Sequence, residues 1–452
     1  MRILIFSNAY KPTISGVVTS IALFRQGLIA AGHDVHIVVP EYEEYQDKEP
    51  YVFRFPALDI SERADFSLVI PSKRTMLPTV RGIQPDLIHS QHPIWMGDLA
   101  IAFARDLNLP LVFTFHTRYD MYAPKYVPIA PKLTGVVTDE IVHTYLKKCA
   151  HIIAPTPSIR DFILRHYAPE APVSTVPTPV DFSQYESLDP RRVRADLGLV
   201  NAEILLYVGR LSNEKNLDFL LRAFVKIVAA RPQARLLLVG QGPHERDLQR
   251  LARELGIGEQ VIFTGSIPHD EIPHYAAAAD MFVFASMTDT QGLVLIEAMA
   301  AGTPVVAIQA PGAADMLAEG GGVLVPANRD AFANAALALL TNKAYRRAMG
   351  EQAARAVQRY TISATAARMS AVYEQAVAAG PRTIKKESVL MRGLKLELKL
   401  AGEIWRGMGR HLRSFGETSS TASSTSSWGE KGSRHYLKLD SQISSLNEHE
   451  SL

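Results

Sequence analysis

The residues best suited to chemistry lie in three short clusters, each between an apolar run and an amphipathic one. The clusters are Pro12-Thr-Ile-Ser-Gly16-Val-Val, Val208-Gly-Arg210-Leu-Ser-Asn-Glu-Lys215-Asn, and Asp289-Thr-Gln291-Gly292-Leu293-Val-Leu-Ile-Glu297. An arginine offers a planar fork to phosphate oxygens and a lysine offers a compact positive charge. Arg210 and Lys215 therefore predict a phosphate-binding loop, and two solvated loop cations are the alternative.

The first and third clusters each place a glycine at the predicted start of a helix. Backbone N–H groups at such a start attract anions, so Gly16, Gly292 and Leu293 are predicted to face a ligand anion. The alternatives are a tight turn and an ordinary capped helix start. Asp289 and Glu297 are separated by seven residues. Glu297 falls inside the predicted helix, where its carboxylate can accept hydrogen bonds from sugar hydroxyls.

Several enzyme classes are disfavoured by what these clusters lack. The turns carry neither the G-x-G-x-x-G pattern of dinucleotide binding nor the G-x-x-x-x-G-K-[ST] pattern of phosphate-binding loops in kinases and ATPases. There is also no Asp-x-Asp sequence of the kind that holds a metal ion beside a nucleotide. Cys149 is the single cysteine, so the chain itself forms no disulfide framework, which fits a reducing compartment.

Short apolar runs separated by helical patterns predict the elements that must position these clusters. Strands are expected at Arg2–Ser7, Asp34–Pro40, Leu87–Ser90, Leu111–Thr114, His151–Ala154, Ile204–Gly209, Arg235–Gly240, Gln260–Gly265, Met281–Ala285 and Thr303–Ile308. Helices are expected at Val18–Ala31, Asn216–Ala230, His244–Leu255, Glu271–Ala277 and Leu293–Ala301. This alternation predicts an α/β fold of two Rossmann-like domains that face each other across a cleft, with a boundary near Thr178–Leu188. Ligands are expected beyond the carboxyl ends of the strands.

Length and charge agree with such a protein. The chain has 452 residues and a formal net charge of +2, which gives no global reason to expect nucleic acid. The N-terminal segment does not match a secretory signal, and no window is long and apolar enough for a transmembrane helix. We therefore expect a cytoplasmic protein whose membrane contact, if any, is peripheral.

The three clusters resemble the motifs of a known enzyme class. The segment from Asp289 to Glu297 resembles the Glu-x7-Glu motif of retaining GT-B glycosyltransferases of the sucrose-synthase-like class, with Asp289 at the first acidic position. Residues 209–216 (G-R-L-x-x-x-K-N) and 239–243 (V-G-Q-G-P) match the same class, and the resemblance spans about residues 1–375. Residues 8–20, 114–119 and 288–293 further resemble diacylglycerol glucosyltransferases.

The resemblance implies a function and a set of site residues. It implies transfer of a hexose, expected to be glucose from UDP-glucose, to the free hydroxyl of diacylglycerol with retention, and no essential metal or other cofactor. The implied catalytic residues are His116 and Asp289, and the implied donor-binding residues are Gly16, Arg210, Lys215, Gln291, Gly292, Leu293 and Glu297. The alternatives are another acceptor (phosphatidylinositol, a sulfolipid-type acceptor, a soluble sugar or a polysaccharide) and a non-catalytic nucleotide-sugar-binding protein.

The expected domains follow from the same resemblance. Residues 1–180 form the acceptor-side domain, and residues 181–380 form the nucleotide-sugar domain, whose last helix can cross back to the first. Residues 381–415 form a basic extension with nine Lys and Arg against three Glu, and the Ser- and Thr-rich residues 416–452 are predicted to be disordered.

Two segments are candidates for contact with lipid. Apolar residues recur at three- and four-residue steps in residues 381–415, which favours a basic amphipathic helix on an anionic membrane or a helix packed across the domains. Beside His116, an aromatic and basic cluster is either the mouth of the acceptor site or a packed loop. The candidate acceptor and membrane residues are Arg118, Tyr119, Lys125, Lys395, Lys399, Trp405, Arg406 and Arg410.

Overall fold

The first half of the chain forms a parallel sheet, as seen in a computed structural model that describes residues 1–42, 45–58, 68–69, 73–121 and 131–383. Its strands are β1 (Arg2–Phe6), β2 (Asp34–Pro40), β3 (Val52–Phe55), β6 (Leu87–Ser90), β7 (Leu111–Thr114), β8 (His151–Ala154) and β9 (Val173–Thr175). They pair in the order β3-β2-β1-β6-β7-β8-β9. The short strands β4 (Ala57–Leu58) and β5 (Leu68–Val69) form a separate antiparallel pair.

The second half repeats this arrangement. Its strands are β10 (Glu203–Val208), β11 (Ala234–Val239), β12 (Val261–Gly265), β13 (Met281–Phe284), β14 (Val305–Ile308) and β15 (Gly322–Val325). They are parallel and pair in the order β12-β11-β10-β13-β14-β15. Each sheet therefore has the Rossmann strand order, in which the chain reverses its direction of travel beside the first strand of the domain.

Helices cover the faces of both sheets. In the first domain they are α1 (Gly16–Ala30), α2 (Lys73–Ile83), α3 (Met96–Leu107), α4 (Pro131–Leu146) and α5 (Pro157–His166). They continue with α6 (Pro190–Asp196), α7 (Leu217–Ala230), α8 (Glu245–Glu254), α9 (Ile272–Ala278), α10 (Leu293–Ala300), α11 (Pro311–Met316), α12 (Arg329–Thr341), α13 (Lys343–Ala356) and α14 (Ile362–Ala379). Because both faces are covered, the central strands are mostly apolar, and Ile3, Leu4 and Ile5 of β1 are at most 2% exposed.

The last described helix, α14, packs on the first domain although it follows the second sheet. A Cβ atom on Gly27 of α1 would lie only 2.6 Å from Ala366 Cβ, so the two helices approach very closely. The hydroxyl of Tyr373 shares a 2.7 Å hydrogen bond with His89 Nδ1 on β6, and Ser370 Oγ shares one of 2.9 Å with His33 Nε2. The C-terminal end of the described chain thus completes the core of the first domain.

The predicted fold class is confirmed, and most of the predicted elements end within two residues of the observed ones. Helix α1 begins at Gly16 instead of Val18 because Ser15 Oγ accepts a hydrogen bond from Val18 N and so caps the helix two residues earlier. Strand β14 begins at Val305 instead of Thr303, whose hydroxyl donates to Ala276 O. No helix among the described residues is long and apolar enough to span a bilayer. Residues 384–452, which include nearly all of the basic extension, lie outside the described residues.

Candidate active site

Loops from both switch points meet at the predicted clusters. The clusters follow β1, β10 and β13, and His116 follows β7, so all of them lie at the carboxyl ends of parallel strands. A Cβ atom on Gly16 would lie 3.4 Å from Leu293 Cδ1. The starts of α1 and α10, one from each half of the chain, are therefore in contact distance, and their N–H groups provide two partial positive charges at one place.

Lys215 and Asp289 form an ion pair at the second switch point. The distance from Lys215 Nζ to Asp289 Oδ1 is 2.7 Å, and the side chains are 15% and 20% exposed. The second oxygen, Asp289 Oδ2, is buried and has no hydrogen-bond partner among the described residues. Leaving a buried acceptor unsatisfied costs free energy, so Oδ2 is a favourable place for a ligand hydroxyl to donate a hydrogen bond.

The loop that carries Lys215 is held rigidly. Residues Asn213–Lys215 form a single 3-10 turn, and Asn216 Nδ2 donates to Ala285 O at the end of β13, over 3.2 Å. The buried Glu214 carboxylate accepts a hydrogen bond of 2.5 Å from Ser212 Oγ. The lysine is therefore positioned by its loop as well as by Asp289.

Arg210 lies where two loops pack backbone against backbone. A Cβ atom on Gly240 would lie 2.1 Å from Gly209 O, and Gly240 also has a φ of 131°, which L residues rarely adopt. This close approach accounts for the first glycine of the V-G-Q-G-P segment. Partial burial lowers the pKa of the Arg210 guanidinium below its ordinary value, and the charge of Glu214 opposes that shift. Arginine stays charged at physiological pH all the same.

His116 is the first domain's contribution, and it is held at both its side chain and its backbone. Its Nε2 lies 2.6 Å from Gln91 Oε1, and its carbonyl accepts a 2.7 Å hydrogen bond from Thr290 Oγ1 of the acidic loop. Burial, together with His92 and His89, lowers the pKa of His116 to about 3. The imidazole is therefore neutral near pH 7.

Thr290 and Gln291 tie the acidic loop to the first domain. Thr156 Oγ1 donates to Thr290 O over 3.0 Å. The amide of Gln291 makes two contacts with Thr178: its Oε1 accepts from Thr178 N at 3.0 Å, and its Nε2 donates to Thr178 O at 3.2 Å. Gln291 is only 4% exposed, so its side chain fixes the segment between the domains, and donor binding by it stays a prediction.

Glu297 lies in the second turn of α10 and pairs with a histidine that follows β12. The distance from His269 Nε2 to Glu297 Oε1 is 3.6 Å, and the Glu297 side chain is 16% exposed. The nearby Glu297 carboxylate raises the pKa of His269 despite its partial burial. Glu297 also contributes, after burial, to the raised pKa of Tyr185. The Glu297 carboxylate therefore lies close to an imidazole and a phenol.

Arg118 and Tyr119 lie in a packed loop. Arg118 donates two hydrogen bonds to Asp120, of 2.9 and 2.7 Å, and its guanidinium stacks 3.9 Å above the Phe162 ring. Tyr119 packs edge-on against Phe115. These contacts favour the packed-loop alternative for both residues. The other acceptor and membrane candidates, Lys125, Lys395, Lys399, Trp405, Arg406 and Arg410, lie outside the described residues.

Three residues of the site were not assigned roles from sequence: Gln91, Thr290 and His269. Each follows the carboxyl end of a strand (β6, β13 and β12), so applying the carboxyl-end rule to every strand would have found them. No cluster of three or more His, Cys, Asp or Glu side chains suited to a metal ion is present in the described part of the chain.

Comparison with known proteins identifies the family. The family described as Glycosyltransferase Family 4 matches residues 14–184, and the family described as Glycosyl transferases group 1 matches residues 191–356. Alpha-monoglucosyldiacylglycerol synthase of Streptococcus pneumoniae is 32% identical over 68% of this chain and 71% of its own length. The enzyme of the same name from Acholeplasma laidlawii is 32% identical over 68% of this chain and 80% of its own length.

A solved structure supports the same assignment at the level of the fold. Sucrose-phosphate synthase from Thermosynechococcus elongatus superposes with a TM-score of 0.71 and 24% identity, over 84% of this chain and 99% of that one. The chain therefore belongs to the GT-B glycosyltransferases that join a family 4 region to a group 1 region, and alpha-monoglucosyldiacylglycerol synthases are among its relatives.

Proposed function

We propose that this glycosyltransferase moves glucose from UDP-glucose to the free hydroxyl of diacylglycerol, with retention, at the cytoplasmic face of a membrane. The observation that carries the proposal is the Lys215–Asp289 pair with the unpartnered Oδ2 of Asp289. The loop that carries Asp289 leads into the start of α10, which lies against the start of α1. Thr290 of the same loop contacts His116. A cation, an open carboxylate oxygen and a neutral imidazole are the groups that a nucleotide-sugar reaction needs.

The diphosphate is the natural ligand of the positive groups. Arg210, Lys215 and the N–H groups at Gly16 and Gly292–Leu293 stabilise the charge that develops on the leaving phosphate, which is usually the largest catalytic contribution. The bond between the anomeric carbon and the phosphate oxygen breaks, and the acceptor oxygen bonds to the same carbon from the same face. The acceptor's proton passes to the departing phosphate oxygen, and the attack from the same face retains the configuration.

The remaining groups orient the donor. Asp289 Oδ2 accepts a hydrogen bond from a sugar hydroxyl, and Glu297 accepts one from the nucleotide ribose. His116 contacts the donor sugar from the other domain as a neutral group. Since the cations and helix starts already supply positive charge, we propose that transfer needs no metal ion, and activity should persist in EDTA.

The decisive experiment is a donor screen on the full-length protein. UDP-, GDP- and ADP-sugars are offered with diacylglycerol in mixed micelles, and the chloroform-extractable product is identified by mass spectrometry and by its anomeric NMR coupling. We expect an α-glucosyl lipid from UDP-glucose, and the His116→Ala variant should remain folded and lose most of its turnover. A β-anomer would contradict retention. A product only with phosphatidylinositol or a soluble sugar would change the acceptor, and donor binding without transfer would indicate a non-catalytic protein.

The membrane contact is tested separately. We expect deletion of residues 381–452 to reduce co-sedimentation of the protein with anionic vesicles and to leave its co-sedimentation with neutral vesicles unchanged. Equal binding by the full-length and shortened proteins would contradict it.

A further inference from the structure

Gln91 occupies the switch point of the first sheet and directly contacts His116. It follows β6, is 3% exposed, and its backbone N–H donates to Phe6 O of β1 over 2.9 Å. Its side-chain oxygen lies 2.6 Å from His116 Nε2, a short distance for a neutral hydrogen bond. The backbone of Gln91 is therefore fixed by the sheet, and its amide is aimed at the imidazole.

An amide oxygen can only accept a hydrogen bond, so Nε2 of His116 must carry the proton. In a neutral imidazole the other nitrogen, Nδ1, is then an acceptor. No described residue makes a hydrogen bond to Nδ1. Thr290 holds the carbonyl of the same residue, so the ring is fixed while one acceptor nitrogen stays open.

The surroundings keep the ring neutral. His89 and His92 lie nearby, and burial lowers their pKa values to about 3 and about 4, so neither supplies charge near pH 7. From the second domain, the loop that contacts His116 carries Asp289, whose charge is balanced by Lys215. These groups therefore supply no net charge that would stabilise the imidazolium form of His116.

We propose that Gln91 is a positioning residue that holds His116 in the Nε2–H tautomer, so that Nδ1 accepts a hydrogen bond from a substrate hydroxyl. This inference rests on the proposed function, because it specifies how His116 contacts the donor sugar or the acceptor. A histidine in the opposite tautomer would present an N–H donor at the same place.

Two substitutions of Gln91 separate positioning from packing. Gln91→Met keeps the size and removes the acceptor, so kcat should fall by about 10²-fold with little change in the donor KM, since a misplaced group loses rate before binding. Gln91→Glu keeps the acceptor and adds a charge that raises the pKa of His116. The protonated His116 of this variant cannot accept a hydrogen bond at Nδ1. The kcat of the variant should therefore rise with pH between 5.5 and 8.5, while wild-type kcat stays flat.

Asn8→Asp is the matched control. Asn8 is 4% exposed, its backbone N–H contacts His92 Nδ1, and its side-chain oxygen already accepts from Met96 N at 3.1 Å. The Asn8→Asp substitution places a similar buried charge in the same region without touching His116, so the kcat of this variant should stay independent of pH. A pH-dependent kcat in Asn8→Asp as strong as in Gln91→Glu would refute the direct role.

A readout without turnover keeps the two proposals distinguishable. In ¹⁵N NMR of the full-length protein, the His116 signals, assigned by their loss in His116→Asn, should show a protonated Nε2 and a pyridine-type Nδ1. Gln91→Met should mix the tautomers. A wild-type Nδ1–H tautomer, or a Gln91→Met variant with wild-type kcat while His116→Ala is inactive, overturns the inference alone. An active His116→Ala variant overturns the role of His116 in the proposed function, whatever the NMR result.

Discussion

The first sheet contributes two neutral side chains to the candidate site, whereas the second contributes charged ones. Gln91 and His116 lie on the first side, and burial keeps the imidazole neutral. Arg210, Lys215 and Asp289 lie on the second, where an ion pair holds two of the charges in place. The two sheets have the same order over six strands, so the two sides differ in the types of their residues and not in the layout of the backbone.

The difference also concerns how polar groups tolerate burial. On the first side, burial selects the uncharged form of a titratable group. On the second, a charge stays charged because a partner or a ligand compensates for lost hydration. A neutral side suits hydroxyl groups and a charged side suits a diphosphate, which is the division that the proposed function requires.

Removing the cation of the charged side should have the largest effect on turnover. Lys215→Ala takes away a positive group from the leaving phosphate and leaves Asp289 buried without its partner, so kcat should fall by about 10³-fold. Lys226→Ala is the matched control, because that lysine pairs with Asp330 on the surface of the same domain and is 47% exposed. Steady-state kinetics on both variants check the prediction, and an equal loss in the two would contradict it.

The loops that carry the charges should be intolerant of a side chain at Gly240. An alanine Cβ would collide with Gly209 O at 2.1 Å, and we expect Gly240→Ala to lower the free energy of unfolding by about 4 kcal/mol. Gly256 also has a positive φ, of 72°, which lies in the left-handed region, and it has open space around it. Gly256→Ala should therefore cost only about 1 to 2 kcal/mol. Urea unfolding of the two variants compares the crowded position with the open one, and equal losses would show that the loops do not pack closely.

The contact between the neutral and charged sides should affect turnover moderately. Thr290→Val removes the donor to His116 O, and one hydrogen bond is worth roughly 1 kcal/mol, so kcat should fall about five- to tenfold. Thr290→Ser should restore it. Thr303→Val loses a similar bond, to Ala276 O within one domain, and should lower stability without lowering kcat. A Thr290→Val variant with normal kcat would mean that the two sides act independently.

The smallest expected effect is a pH dependence of stability whose sign differs between the two domains. Burial lowers the pKa of the half-buried His36 on β2, so its contribution to stability is complete above about pH 6.5 and is lost as the pH falls. Glu297 raises the pKa of His269, so its contribution is complete below about pH 6.5 and is lost as the pH rises through the folded-state value. We expect less than about 1 kcal/mol for the exposed His269 pair. Unfolding of His36→Gln and His269→Gln between pH 5 and 9 should show opposite trends relative to wild type, and parallel trends would contradict the assignment.

The strands were predictable where they are central and buried. The predicted ranges Asp34–Pro40, Leu87–Ser90, Leu111–Thr114 and His151–Ala154 coincide with β2, β6, β7 and β8. The edge strands β3, β9 and β15 were not predicted. Their residues are mostly half-buried, and their pairing depends on the neighbouring strand.

The location of the site was predictable from sequence, but its contacts were not. The carboxyl-end rule places each cluster, yet the contact of Lys215 with Asp289 joins residues 74 positions apart and depends on how two loops pack. Gln291 illustrates the converse. The family resemblance implies that Gln291 contacts the donor, which stays a prediction, and the structure shows its amide bonded to Thr178. Sequence types tell which groups can bind, and only packing tells what they bind.

The return of α14 to the first domain sets an order of events during synthesis. Met369, Val372, Tyr373 and Ala376 share one core with Val18, Ile21, Phe24 and Leu28 of α1. A ribosome that has released only residues 1–180 has therefore exposed an apolar face of α1 for which the covering helix is still to be made. The N-terminal domain, although translated first, acquires its finished core last. The growing chain has to carry that face uncovered, or covered by a chaperone, until nearly two hundred further residues have emerged.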